Sequence, residues 1–163
     1  MKNNRYTIAK RKVNILKKDK LLIAGVIGVL STIPSEIVTR GFLIFGIGKY
    51  SVYQLDSFLY TFNRPTPIIG FIVCSVVGGF SAILLYYTFE RLGTSNLVIK
   101  TSMFGLLLCL FLQILMATIT EGKYIDIRPV SDYYTHMLGS VIFGITEGLL
   151  FKRFLFKSTT QEN

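Results

Sequence analysis

At 163 residues the chain suffices for one domain; it is 51% hydrophobic and only 17% charged, with a mean hydropathy of +0.52. Soluble domains carry about a quarter charged residues, so this composition excludes an ordinary soluble protein. The net charge of +9 does not signal nucleic-acid binding, because the basic residues are not interleaved with stacking aromatics on a polar face.

The apolar residues fall into blocks of about 20, the length at which a helix crosses roughly 30 Å of hydrocarbon. The expected fold is an all-α polytopic membrane protein with four transmembrane helices in a bundle. A basic tail (1–20) precedes the membrane domain (21–151), and a short tail (152–163) follows it.

The first 20 residues, MKNNRYTIAKRKVNILKKDK, hold eight of the 18 Lys and Arg. Such a flank stays on the cytoplasmic side. Ile8, Lys12, Ile15 and Leu16 share one side of a helix, so the tail is also suited to lie on anionic lipid headgroups. A secretory signal peptide has a similar outline. The apolar block that follows is too long for one, and three more blocks come after it.

The first span is expected over 21–45. Its far end, 33-IPSEIVTRGFLIFG-46, carries Glu36 and Arg40 at i,i+4 in the favourable acid-before-base order. With Lys20 at the inner edge, Glu36 lies about 24 Å up and Arg40 about 30 Å up. The pair is therefore not at mid-membrane, where a charge costs about 2.5–3.5 kcal/mol. Pro34 removes a helical hydrogen bond and predicts a kink there.

The next segment, 48-GKYSVYQLDSFLYTFNR-64, mixes aromatic and polar residues and reads as a short helix in the outer interface. A re-entrant segment is the alternative. The second span is expected over 66–89, opened by Pro65 and Pro67, with a small-residue face of Ser75, Gly78, Gly79 and Ala82. The third span, 97–119, carries Gln113 about 20 Å above Lys100. The loop 120-TEGKYIDIRPVSD-132 is polar, and Ser131 and Asp132 are candidate caps for the fourth span, 133–150.

In that last span His136 lies about 24 Å above Lys152, level with Glu36, and Glu147 only about 7 Å above it. Polar groups in hydrocarbon turn toward the bundle interior. Glu36, Arg40, Gln113 and His136 are therefore expected to converge in one intramembrane polar cluster, with Glu147 a second intramembrane acid. Ser140, Gly144 and Gly148 form a small-residue face for helix packing. Cys74 and Cys109 lie inside apolar blocks and read as small buried hydrophobes.

Counting basic residues sets the orientation: 13 fall on the side of the N-terminus and 4 on the other, so both termini are expected inside. No nucleophile motif, glycine-rich phosphate loop or metal-ligand cluster is present. Asp132 and His136 alone make a weak metal signal. No cofactor and no catalytic residue is expected.

Three readings compete for the ionisable residues. The first is structural, with Glu147 paired to Lys152 or Arg91. The second is a transport path, since a membrane Glu and His can exchange protons. The third is catalysis at the outer leaflet by a His beside a Glu.

The stretches 25-GVIGVLSTIPSEIVTRG-41 and 136-HMLGSVIFGITEGLLF-151 resemble parts of small four-span bacterial inner-membrane proteins of the YagU-like and YqhR-like kinds. The resemblance implies a bacterial plasma membrane and brings no catalytic residues with it. Small multidrug transporters also have four spans and a membrane Glu, but they are shorter and their Glu lies in mid-span. The expected function is an integral plasma-membrane protein, structural or accessory, partnered by the lipid bilayer. The alternative is a small proton-coupled or solute transporter acting as a homo-oligomer.

Overall fold

The structure, a computed structural model, describes the backbone of residues 2–156 and the side chains of residues 19–156. The basic side chains of the first 18 residues, with their expected contact to anionic headgroups, and the tail from Lys157 onward lie outside the described residues. Five helices follow in order: α1 (Lys2–Ile44), α2 (Val52–Thr61), α3 (Pro67–Leu92), α4 (Leu97–Ile119) and α5 (Val130–Phe154). Among the described residues the only extended pairing is an isolated bridge between Glu121 and Ile125.

The helix boundaries follow local chemistry. Pro67 opens α3 at a position where its missing N–H is no loss, and Gly93, at φ 79°, ends it. α1 continues as helix across the 20/21 boundary and through Pro34.

Three helices are long and apolar enough to cross a membrane: residues 19–44 of α1, α3 and α4. At 1.5 Å per residue the two 26-residue spans reach about 39 Å, more than a hydrocarbon core requires. α5 has comparable length, 25 residues, but carries Asp132, His136, Glu147, Lys152 and Arg153, and falls short of the apolar character of the other three.

The four long helices pack in the order α3–α1–α5–α4, and α3 and α4 meet mainly through the shared core at one end. Small residues set the spacing. A Cβ on Gly28 of α1 would lie 2.1 Å from the Gly78 carbonyl oxygen of α3, so only glycine fits there. Gly144 and Gly148 of α5 meet Thr101 of α4 in the same way, at 2.5 Å and 2.4 Å, while Ser140 lies against Gly105. Near the end remote from α2, Ala24, Ile27, Ala82, Tyr86, Phe89 and Phe151 form the main apolar core.

The short α2 fills the space between the ends of α3 and α4. Its Leu55 and Phe58 pack with Met116 of α4, and its Tyr53 backbone lies against Gly70 of α3. Tyr60 and Phe62 stay exposed. The helix thus has an exposed side, and it is seated in the bundle through five buried residues, Tyr53, Leu55, Asp56, Ser57 and Phe58.

Candidate functional site

The polar residues at the α2 end are organised around the backbone of residues 49–53. A helix start leaves N–H groups without intrahelical partners; those of Val52 and Tyr53 in α2 are satisfied from α1, and those of the segment just before it from α5. From α1, Glu36 Oε2 accepts the Tyr53 N–H at 2.9 Å and Thr39 Oγ1 accepts that of Val52 at 3.2 Å. From α5, Asp132 Oδ1 accepts the N–H groups of Lys49 and Tyr50 at 2.8 and 3.2 Å. Ser51 and Gln54 complete a reciprocal capping box. An acid at a helix N-terminus also meets the positive end of its dipole. Glu36 is therefore a cap as well as an ion-pair partner.

Arg40 holds the other Glu36 oxygen at 2.7 Å and is itself half-exposed. Gln113 and His136 belong to a different network. Arg128, in the loop before α5, folds back into the bundle and is only 3% exposed. Its guanidinium donates to Glu121 and, at 2.7 Å, to Gln113 Oε1, and lies 3.6 Å from Asp132 Oδ2. It also stacks 4.6 Å from the centre of the Tyr133 ring, whose hydroxyl donates to Glu121. His136 Nδ1 lies 2.7 Å from the Asp132 carbonyl oxygen and 3.9 Å from its carboxylate.

The four residues expected in one cluster are thus divided into Glu36 with Arg40, and Gln113 with His136. No hydrogen bond joins the two pairs among the described residues. The physical reason is that the start of α2 and the Arg128 loop supply nearer partners, the Tyr53 N–H for Glu36 and the Arg128 guanidinium for Gln113. Asp132 does not cap α5 either. The helix starts at Val130, with Pro129 at the N-cap position, so Asp132 sits in the first turn and bonds to the segment before α2.

Glu147 corrects another expectation. It is fully buried, and among the described residues neither oxygen has a hydrogen-bond partner; it pairs with neither Lys152 nor Arg91. Buried acids usually have a partner.

Beneath α2 lies a cavity of about 70 Å³ bounded by all five helices. Asp56 of α2 faces it, 7% exposed, with its Oδ2 accepting from the Cys74 thiol at 2.6 Å. Burial pushes the Asp56 carboxyl up to about 6, opposed by the Cys74 hydrogen bond and reinforced by the charge of Glu36. At the surface, the Lys49 amine is raised above its ordinary value, chiefly by its hydrogen bond to Asp126.

No family model, curated protein or solved structure matches the chain.

The residues that organise this end of the bundle were only partly visible in the sequence. Arg128 reads as one more loop charge, although its i,i+4 spacing to Asp132 is a signal of pairing. Asp56 sits in an aromatic interfacial pattern that hides its burial. Among the described residues, no group of three or more His, Cys, Asp or Glu side chains is arranged to hold a metal ion.

Proposed function

We propose that the chain is a four-span protein of the bacterial plasma membrane, with both termini inside and α2 at the outer face, and that its role is structural or accessory. α5 is the fourth span in this reading. The observation that carries it is the use made of the charged residues at the α2 end. Glu36, Asp132 and Arg128 spend their hydrogen bonds on capping α2 and on fixing the α5 loop. His136 is 2% exposed. Groups committed in this way hold helices in register rather than exchange with water.

A second reading, a small proton-coupled or solute transporter working as a homo-oligomer, is favoured by the buried polar atoms that have no hydrogen-bond partner among the described residues, His136 Nε2, Asp132 Oδ2 and above all both oxygens of Glu147. An acid buried without a partner inside a helix bundle is a recurrent mark of ion pathways.

Water accessibility separates the two. Cys74 and Cys109 are replaced, single cysteines are placed at 36, 113, 136, 140, 144 and 147, and each is probed from either side with a membrane-impermeant thiol reagent. The structural reading expects silence at all six while loop positions 49 and 123 label from outside. Labelling of 147 or 144 from inside, or labelling that changes with pH, establishes the transport reading in its place.

A further inference from the structure

The cavity under α2 is not accounted for by a structural role, and its chemistry is one-sided. Thr32 Oγ1 and Ser140 Oγ line it; each gives its hydrogen to a backbone carbonyl of its own helix, at 2.8 and 2.9 Å, and Thr32 Oγ1 also accepts from the Tyr53 hydroxyl at 2.9 Å, which leaves it one lone pair. What they present to the cavity is lone pairs. The Asp56 carboxylate has one oxygen occupied by Cys74; the other, Oδ1, receives no hydrogen bond among the described residues. Ser35, 4% exposed, lines the space with a hydroxyl that has no hydrogen bond among the described residues, so its O–H is free to turn away and leave a lone pair toward a ligand. No Lys, Arg or His lines the cavity, so an anion would meet a carboxylate with nothing to offset it.

The space is therefore rich in acceptors and calls for a donor or a cation. Its size limits the choice. A water needs about 10–15 Å³ of such volume, so about 70 Å³ takes an ion with a few waters and excludes larger solutes. A single carboxylate among neutral oxygens suits one positive charge, whereas calcium sites gather several carboxylates. The Cys74 thiol is engaged as a hydrogen-bond donor and so keeps its proton, which disfavours a soft, thiolate-seeking metal.

We propose that this cavity binds a small monovalent cation, Na⁺, K⁺ or ammonium, on the Asp56 carboxylate with the hydroxyl oxygens of Ser35, Thr32 and Ser140. Cys74 acts as a positioning residue: its S–H holds Oδ2 and leaves Oδ1 turned to the ligand. Because Asp56 belongs to α2, Ser35 to α1 and Ser140 to α5, an ion there ties the short helix to the bundle.

The full chain, purified into lipid nanodiscs, is titrated with ²²Na⁺ in a scintillation proximity assay, with K⁺, ammonium and choline as competitors. The expected result is saturable binding, displaced by K⁺ or ammonium in an order that names the preferred ion, and untouched by choline. If sodium binds too weakly to register, ⁸⁶Rb⁺ in the same assay reads a potassium-type site. Asp56→Asn is expected to abolish binding. Ser35→Ala is expected to raise Kd about tenfold, the loss of roughly one hydrogen bond's worth of free energy. Ser35→Ala decides the matter if Asp56→Asn fails to fold. No saturable binding of either ion by the wild-type chain, a Kd unchanged in Ser35→Ala, or binding retained in a folded Asp56→Asn variant overturns the proposal.

Discussion

Glu36 on α1 accepts the backbone N–H of Tyr53 at 2.9 Å, so a side chain that looks like half of a surface ion pair is also the cap of a helix 17 positions further on. The two functions have different weights. The partner Arg40 is half-exposed, and such pairs contribute about 0–1 kcal/mol. A buried hydrogen bond to a charged acceptor is worth about 1.5–3 kcal/mol. Glu36→Ala is therefore expected to destabilise the protein by about 2–3 kcal/mol, and Arg40→Ala by less than about 1 kcal/mol. Reversible unfolding in mixed micelles measures both. A double-mutant cycle between Glu36 and His136 is expected to show coupling under about 0.5 kcal/mol, because no bond joins them.

Arg128 presents the opposite case. Its side chain is fully buried among Glu121, Asp132 and Gln113. Removing one member of a buried charged set leaves the others uncompensated, at a cost of about 3–5 kcal/mol. Arg128→Met is expected to lose that much stability. Arg128→Lys is expected to recover less than half of it, since an ammonium cannot reproduce the fork of N–H donors. The same unfolding assay tests both, and a Lys variant as stable as the parent would show that the charge alone matters.

Much of this molecule was legible in its sequence, and the limit has a physical origin. The bounds of α4 and the tight glycine contacts follow from hydropathy and residue size within single helices. The Glu36–Arg40 pair follows from i,i+4 spacing. What could not be read was how N–H groups at the start of α2 would be satisfied, because their acceptors lie far away in the chain. Asp132 and Lys49 are separated by 83 residues. The burial of Arg128 is of the same kind: a polar loop is expected to stay in water until a tertiary partner such as Gln113 draws it in. Depth along a helix placed Glu36 and His136 at one level but carried no information about which partners each would find nearer.

Glycine at position 28 is a steric requirement. A methyl group there would overlap the Gly78 carbonyl oxygen, whereas one on Gly41 meets nothing within 4 Å. Gly28→Ala is expected to lower the thermal midpoint by several degrees, consistent with the 1–3 kcal/mol of an overpacked contact. Gly41→Ala is expected to leave it unchanged or raise it slightly, because alanine is the better helix former.

Asp56 confers a pH dependence whose sign is fixed. Its carboxyl is raised from 3.8 to about 6 in the folded protein. Between those values the folded state binds more protons than the unfolded one, so this residue makes stability fall as pH rises, levelling off above about 6. The full effect is bounded at about 3 kcal/mol. The stability of the wild type relative to Asp56→Asn, measured from pH 4 to 7 in sodium-free, potassium-free buffer, is expected to decline over that interval. A flat difference would show that the carboxyl is not buried.

Glu147 gives the least expected outcome. Since neither oxygen has a partner among the described residues, replacing it by the uncharged isostere removes none of the hydrogen bonds seen there. Glu147→Gln is expected to be as stable as the parent within about 1 kcal/mol, or more stable. A loss above about 2 kcal/mol would reveal a partner that the bundle supplies only in the membrane.

The double-sided hold on residues 49–53 also bears on the order in which the protein can be completed. During synthesis α1 and α2 emerge first, so the Glu36 and Thr39 contacts can form early. The acceptor for Lys49 and Tyr50 is on the last of the five helices. Until α5 arrives, those amides must be satisfied by water or by the insertion machinery, and the short helix is only half anchored. A nascent chain arrested before residue 130 should therefore leave the 48–64 segment open to proteolysis, and release of the arrest should close it.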